Sequence, residues 1–244
     1  MAFQKAMRTE RIKFHRSPVL LAFVVLTLLS AALGTVNYMG NLGILKTGWY
    51  DLWSQHTLFA CSAFLPAELG VLCAWQWRLE HTDHCWNGLM TAPLPFWALY
   101  LAKLCWAVLI SIAAMAFTAA CYLICGRIAG LPLGGLPPEL WSWLLAGLLG
   151  CVVVCAWQEL FAMLIRAFAV PVAGALIGGF SGLYLMAKGW GLFWPWALLS
   201  LGMRANNPER ILDVPPFLAS CILFTFIPTI LAVAVAARRD VRSE

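Results

Sequence analysis

The chain has 244 residues, of which 62% are hydrophobic and only 11% charged, and its mean hydropathy is +0.82. A soluble domain is about one-quarter charged and about half apolar, so these figures exclude a soluble globular protein and describe an all-α polytopic membrane protein. The net charge of +5 then reads as membrane topology rather than as affinity for nucleic acid.

Residues 1–17 are basic, with Lys5, Arg8, Arg11, Lys13 and Arg16. They are expected to form a cytoplasmic or interfacial N-terminus. The apolar run 18–38 follows directly. It is long enough to cross a core of about 30 Å at roughly 1.5 Å per residue, and longer than the ~7–15 residues of a signal-peptide core. The spacing predicts a first membrane helix with its N-terminus inside. Residues 39–55 are expected as an outer loop. Within it, Gly40 to Thr47 falls short of a phosphate-binding loop, because Leu45 stands where glycine must precede Lys46 and no buried strand comes before it.

A second span is predicted over 56–76, with Glu68 near its middle. An ionisable residue at that depth turns inward to a partner or lines a path. The segment 78–95 returns to the cytoplasm. Wound as a helix from Glu80 to Met90, it sets Glu80, Asp83, His84 and Asn87 on one face. Cys85, Trp86, Leu89 and Met90 fall on the other, and Ala92-Pro93 ends the element. Such a helix can seat in a partner's groove, with Trp86 and Leu89 as its apolar anchors. His81 and His84 lie three apart, but no third or fourth ligand follows in sequence, so no metal site is expected.

The third span is predicted over 96–125. It carries Lys103 two turns in, where the ammonium could pair with Glu68 or Glu159. Gly126 to Pro138 is an outer turn. The fourth span covers 139–165, with Glu159 placed to snorkel towards the cytoplasmic interface. Arg166 to Ala169 is an inner turn, and the fifth span covers 170–187. Gly174, Gly178 and Gly182 form a small-residue ladder there that admits close approach of another helix. The expectation leans to a subunit interface.

Residues 188–216 make the longest outer segment. Its stretch Gly191 to Leu201 is apolar but too short to span, hence interfacial or re-entrant, and Trp194-Pro195-Trp196 reads as an aromatic belt. The sixth span covers 217–236, and Arg238, Arg239 and Arg242 end the chain inside. On this map Lys5, Arg8, Arg11, Lys13, Arg16, Arg78, Arg166 and those last three arginines lie inside. Lys46, Arg127, Lys188, Arg204 and Arg210 lie outside, and the bias obeys the positive-inside rule. Six spans with both termini cytoplasmic make one transmembrane domain over 1–244. The nine cysteines show no zinc spacing and read as packing residues.

The order Glu80-His81-x-x-x-x-Trp86-Asn87-x-Leu89-x-x-x-Pro93, followed by Tyr100-Leu101-x-Lys103, resembles the first cytoplasmic loop of ABC-2-type permeases. It is most similar to the lantibiotic-immunity and bacitracin-resistance branch. Glu10 to Ser17 resembles the family's start, and Phe193-Trp194-Pro195-Trp196 its last outer loop. The resemblance implies an ABC-2 (type V exporter-like) permease fold with a short interfacial helix before the first span. It implies that Glu80, His81, Asp83, His84, Trp86, Asn87, Leu89 and Pro93 form a coupling helix seated in an ATPase subunit. It also implies a permease dimer built largely by the first and fifth helices.

On the same resemblance the chain is no enzyme and binds no cofactor. ATP and Mg belong to the partner ATPase, present in two copies, and a second, non-identical permease stands beside this chain. The cargo is an antimicrobial peptide cleared from a bacterial cytoplasmic membrane, and the Trp194-Pro195-Trp196 loop faces where it is caught or released. Export of a lipid-like or drug substrate, or a channel or scaffold without energy coupling, are the alternatives. A membrane protease would need a motif such as HExxH, which the sequence lacks.

Overall fold

Apolar residues spread around the whole circumference of a helix suit a lipid surround rather than a solvated face, and five long helices of this chain have that character. In a computed structural model, which describes residues 2–15, 17–82, 86, 88 and 94–237, the elements are all helical. They are α1 (Ala2–Phe14), α2 (Val19–Gly40), α3 (Trp49–Phe59), α4 (Leu65–His81), α5 (Phe96–Ile128), α6 (Leu140–Leu164), α7 (Ala169–Ala187), α8 (Pro195–Gly202) and α9 (Val214–Ala237). A π-helical turn, Ala60–Phe64, joins α3 to α4. Among the described residues, six segments are long and apolar enough to cross a membrane: α2, the continuous run Trp49–His81, α5, α6, α7 and α9. Their outward faces are leucine, isoleucine, valine and aromatic, as at Leu21, Leu28, Ile177, Phe180, Phe226 and Ile230.

The second span is longer than the sequence predicts. It begins at Trp49, so residues 49–55 are helix and not loop. Aromatic packing accounts for the extension. Trp53 lies 5.0 Å from Tyr122 and 5.5 Å from Trp143 between ring centroids, and Trp49 lies 5.2 Å from Tyr122. The Trp53 indole donates to Met203 O at 2.8 Å. The π turn has a local cause. Pro66 offers no N–H and its ring crowds the carbonyl four residues back, that of Ser62. The wider turn, with Leu65 N donating to Ala60 O, relieves that clash. Gly179 of α7 then packs where a side chain would strike Ser62 O and the Pro66 ring.

The 188–213 segment dips into the bundle and returns to the face where α9 begins. Its helix α8 has all eight residues buried and packs on α6 and α7. Pro195 starts it, where a missing N–H costs nothing. Arg204, in left-handed conformation with φ 52°, closes its end by donating from Nη1 to Leu201 O at 3.1 Å and Gly202 O at 2.9 Å. Glycines let α8 in. Gly150 of α6 faces the Leu199 backbone, and Gly178 and Gly182 of α7 face Trp196 and Ala197. The expected ladder on α7 is therefore split. Gly178 and Gly182 serve packing within the chain, contrary to a subunit-interface role, while Gly174 has nothing within 4 Å. Trp196 is likewise buried at 5% exposure, so Trp194-Pro195-Trp196 opens a buried helix and is not an interfacial belt.

This split yields a paired test. Gly182→Ala sets a methyl against the Ala197 and Trp196 backbone and is expected to cost about 1–3 kcal/mol. Gly174→Ala meets open space and gains up to ~1 kcal/mol of helix propensity. Thermal unfolding in detergent should separate the two, and equal midpoints would refute the packing account.

Candidate functional site

Helix α1 buries one stripe, Ala6, Glu10 and Phe14, at a spacing of four. Phe14 stacks between Trp75 and Trp106, at 5.0 and 5.6 Å, and the Trp106 indole donates to Met7 O at 3.0 Å. The stripe thus delivers the Glu10 carboxylate to the ends of α4 and α5. There Lys103, 0% exposed, donates to Glu10 Oε1 and Oε2 at 3.2 Å each, to Glu80 Oε1 at 2.9 Å and to Gln76 O at 3.0 Å. Lys13 of α1 bonds Glu10 at 2.6 Å and also pairs with Glu80. The Trp77 ring covers the Lys103 ammonium at 5.1 Å. Two carboxylates and two ammonium groups thus form a closed, formally neutral cluster binding α1, α4 and α5.

Glu80 does not sit on an outward docking face. It is buried at 6% exposure inside this cluster, because α4 continues to His81 and Thr82 then turns extended. A single helix from Glu80 to Met90 is broken at that point. Lys103 pairs with Glu10 and Glu80 rather than with Glu68 or Glu159. Glu159 does not snorkel; it is 0% exposed and accepts the Trp77 indole proton. Glu10 was missed. Its signal was present, since it is the sole acid before Asp51 and falls on the Ala6–Phe14 stripe of a basic segment.

The segment following α4 is anchored by rings. His81 Nε2 donates to Ala162 O on α6 at 3.0 Å. Its ring stacks on Trp86 at 5.8 Å with 14° between planes. Trp86, 5% exposed, also lies 6.3 Å from Trp77, which in turn sits 6.1 Å from Phe96 and 6.4 Å from Tyr100. Trp86 is therefore an anchor within its own chain, whereas the neighbouring Gly88 is exposed. Asp83, His84, Asn87, Leu89 and Pro93 lie outside the described residues. Arg78 stands over the Phe168 ring at 5.8 Å, which fixes the α6–α7 turn to the same end.

Nearer the middle of the bundle, Glu68 accepts a bond from Thr27 of α2 at 3.0 Å. It is remote in sequence and contact from the cluster at α1. Among the described residues no set of three His, Cys, Asp or Glu side chains is placed to hold a metal, and the eight described cysteines are free thiols. At the α1 end, ion pairs of Lys13 and Lys103 with Glu10 and Glu80 tie α1, α4 and α5 to one another.

A model of the family described as ABC-2 family transporter protein matches residues 6–182. No curated protein and no solved structure matches the chain.

Removing one partner of a buried charge cluster strands the others and costs about 3–5 kcal/mol. Lys103→Met should lower stability by that order, and Lys103→Met combined with Glu10→Gln should recover part of it, because Lys13 then still balances Glu80. Denaturation of the purified variants in detergent measures this. A double variant less stable than the single one would refute the cluster as an electrostatic unit.

Proposed function

Because the chain belongs to the ABC-2 family of transporter proteins, it is the multi-pass membrane subunit of an ABC transporter, and we propose that the segment 82–95 is where the ATPase subunit implied by that family drives it. The observation that carries this reading is that both ends of the segment are clamped by one buried cluster. Glu80 stands in the last turn of α4 and Lys103 two turns into α5, while Glu10 and Lys13 add α1. ATP-driven movement of the segment would carry three helices as a body, which is the rigid-unit motion needed to alternate between states open to either side. The concentration of basic residues at the α1 end supports a cytoplasmic location for it under the positive-inside rule.

The finer reading is export of an amphipathic antimicrobial peptide from a bacterial cytoplasmic membrane. It rests on the likeness of Glu80 to Pro93 and of Trp194-Pro195-Trp196 to the immunity branch. A non-identical sister permease and two ATPase copies complete that assembly. ATP and Mg bind the ATPase and not this chain. Export of a lipid-like or drug substrate keeps the same coupling geometry with another cargo.

Two experiments test the coupling reading. Purification of the chain with its genomic neighbours in mild detergent should bring down an ABC ATPase in near-equal amount, and Gly88→Cys should cross-link to it. A chain that purifies alone would sink the assignment. Trp86→Ala removes the ring that ties the segment to His81 and Trp77. It is expected to leave membrane insertion intact while ATP hydrolysis continues without transport. Unchanged transport in that variant would show that the segment does not transmit force.

A further inference from the structure

The seam between α2 and the second span carries a line of polar side chains that coupling does not use. On α2, Thr27, Ser30 and Gly34 are buried at helical spacing, with Thr35 and Asn37 beside them. Across the seam stand Gln55 and His56 of α3 and Glu68 of α4. They pair in order along the seam. Asn37 Nδ2 donates to Gln55 Oε1 at 2.5 Å, Thr35 Oγ1 lies 3.0 Å from His56 Nε2, and Thr27 Oγ1 donates to Glu68 Oε1 at 3.0 Å. Gly34 has no side chain where one would strike the His56 backbone and ring. Ser30 lies between the two lower pairs on the α2 stripe.

The line has one open end and one closed end. At the face away from α1, Gln55 lines a polar cleft of about 360 Å³ with Tyr50, Asp51, Ser54 and Glu209. At the other end Glu68 is 0% exposed, and its Oε2 has no partner among the described residues. Beyond it towards α1 the seam is apolar, with Phe23, Leu69 and Leu72 all buried. The π turn, which often marks functional sites, lies one helical turn before Glu68.

We propose that Glu68 is a proton-binding site served from this cleft along the α2–α3 seam. The ligand class follows from the groups. Hydroxyls and an imidazole can each accept and donate a proton, whereas a metal ion would need a set of ligands that is not assembled among the described residues. An ionised carboxylate inside a bilayer is costly, and a proton on the partnerless oxygen removes that cost. Glu68 hears few other titrating groups. The thiol of Cys151 on α6 interacts electrostatically with it and with Cys61 of the π turn. From α2 it meets Thr27, and α7 brings Pro171, Val172, Ala175 and Gly179, none of them titratable, against this stretch. Ser111 of α5 bonds Ala107 O. The charges of Lys103 and Glu80 are engaged with α1, and Glu159 with Trp77.

A lipid-soluble carbodiimide adds to protonated carboxyl groups, and its adduct is located by mass spectrometry. With the chain in liposomes sorted for orientation, the adduct at Glu68 should fall roughly tenfold per pH unit once the cleft-side pH passes the site's titration. It should ignore pH on the α1 side. Glu68→Gln should lose the adduct. His56→Phe should keep it but respond to a cleft-side pH step roughly a hundredfold more slowly, the scale of losing one proton-transfer group. Thr35→Val, which removes the hydroxyl beside His56, gives the same reading should His56→Phe fail to fold. No adduct, an adduct that follows α1-side pH or neither side, or an unslowed response in the seam variant would overturn the proposal. The measurement needs neither ATPase nor cargo, so its outcome is separate from that of the coupling reading.

Discussion

A fully buried ammonium must have anions around it, and Lys103 dictates the arrangement of the α1 end of the bundle for that reason. The cost of taking a charge out of water is met only when opposite charges and further hydrogen bonds fill its shell. Two helices supply the carboxylates, Glu10 from α1 and Glu80 from α4. Gln76 O takes a third donor position, and Trp77 closes the ring side. Helix α1 can hold no other register without withdrawing Glu10. Its aromatic contacts through Phe14 follow from that register. The basic residues it does not need, Lys5, Arg8 and Arg11, are left on its exposed face.

Among the described residues, the paired polar groups along α2 and at α1 form two seams of different character. At the α1 end the seam is ionic and closed, with four charges neutralising one another. At the other end it is a line of hydroxyl, amide and imidazole groups that reaches a surface cleft. An apolar block through Phe23, Leu69 and Leu72 separates them. A low-dielectric interior strengthens each set and keeps the two from sharing protons or charge. The division sets the ionic cluster at one end of the second span and the polar line with its cleft at the other, along a single continuous helix.

The spans were legible because lipid imposes a simple rule, an apolar circumference over a fixed length, and Val19–Gly40, Leu140–Leu164 and Ala169–Ala187 lie close to their predicted bounds. The start of the second span was not legible. Trp49, Tyr50 and Asp51 read as loop by composition, whereas rings and hydrogen-bond partners distant in sequence, Tyr122, Pro132, Glu139 and Trp143, pack against Trp49 and Tyr50 in the helix. The facing of Glu80 was hidden for a similar reason. Helical periodicity sorts residues by face but does not say which face meets another helix, and Glu80 turns inward because Lys103 and α1 are there. The glycines of α7 carried the opposite ambiguity. Small residues announce close approach without naming what approaches, and the visitor at Gly178 and Gly182 is α8 of the same chain.

Helix α8 has a consequence for how the protein is made. Eight residues at about 1.5 Å each cover roughly 12 Å, less than half of the bilayer core, and such a segment exposed to lipid would leave backbone groups at both ends unbonded. It cannot enter the membrane as an independent unit. Its resting place is a trough cut by Gly150, Gly178 and Gly182 in two helices that precede it in the chain. The trough must exist first, so α6 and α7 are threaded and paired before residues 188–213 settle between them. Until then Trp194, Trp196 and Leu198 wait at the surface of the bilayer. The last stage of biogenesis is thus an inward folding of an already synthesised loop, timed by the assembly of its neighbours rather than by the insertion machinery.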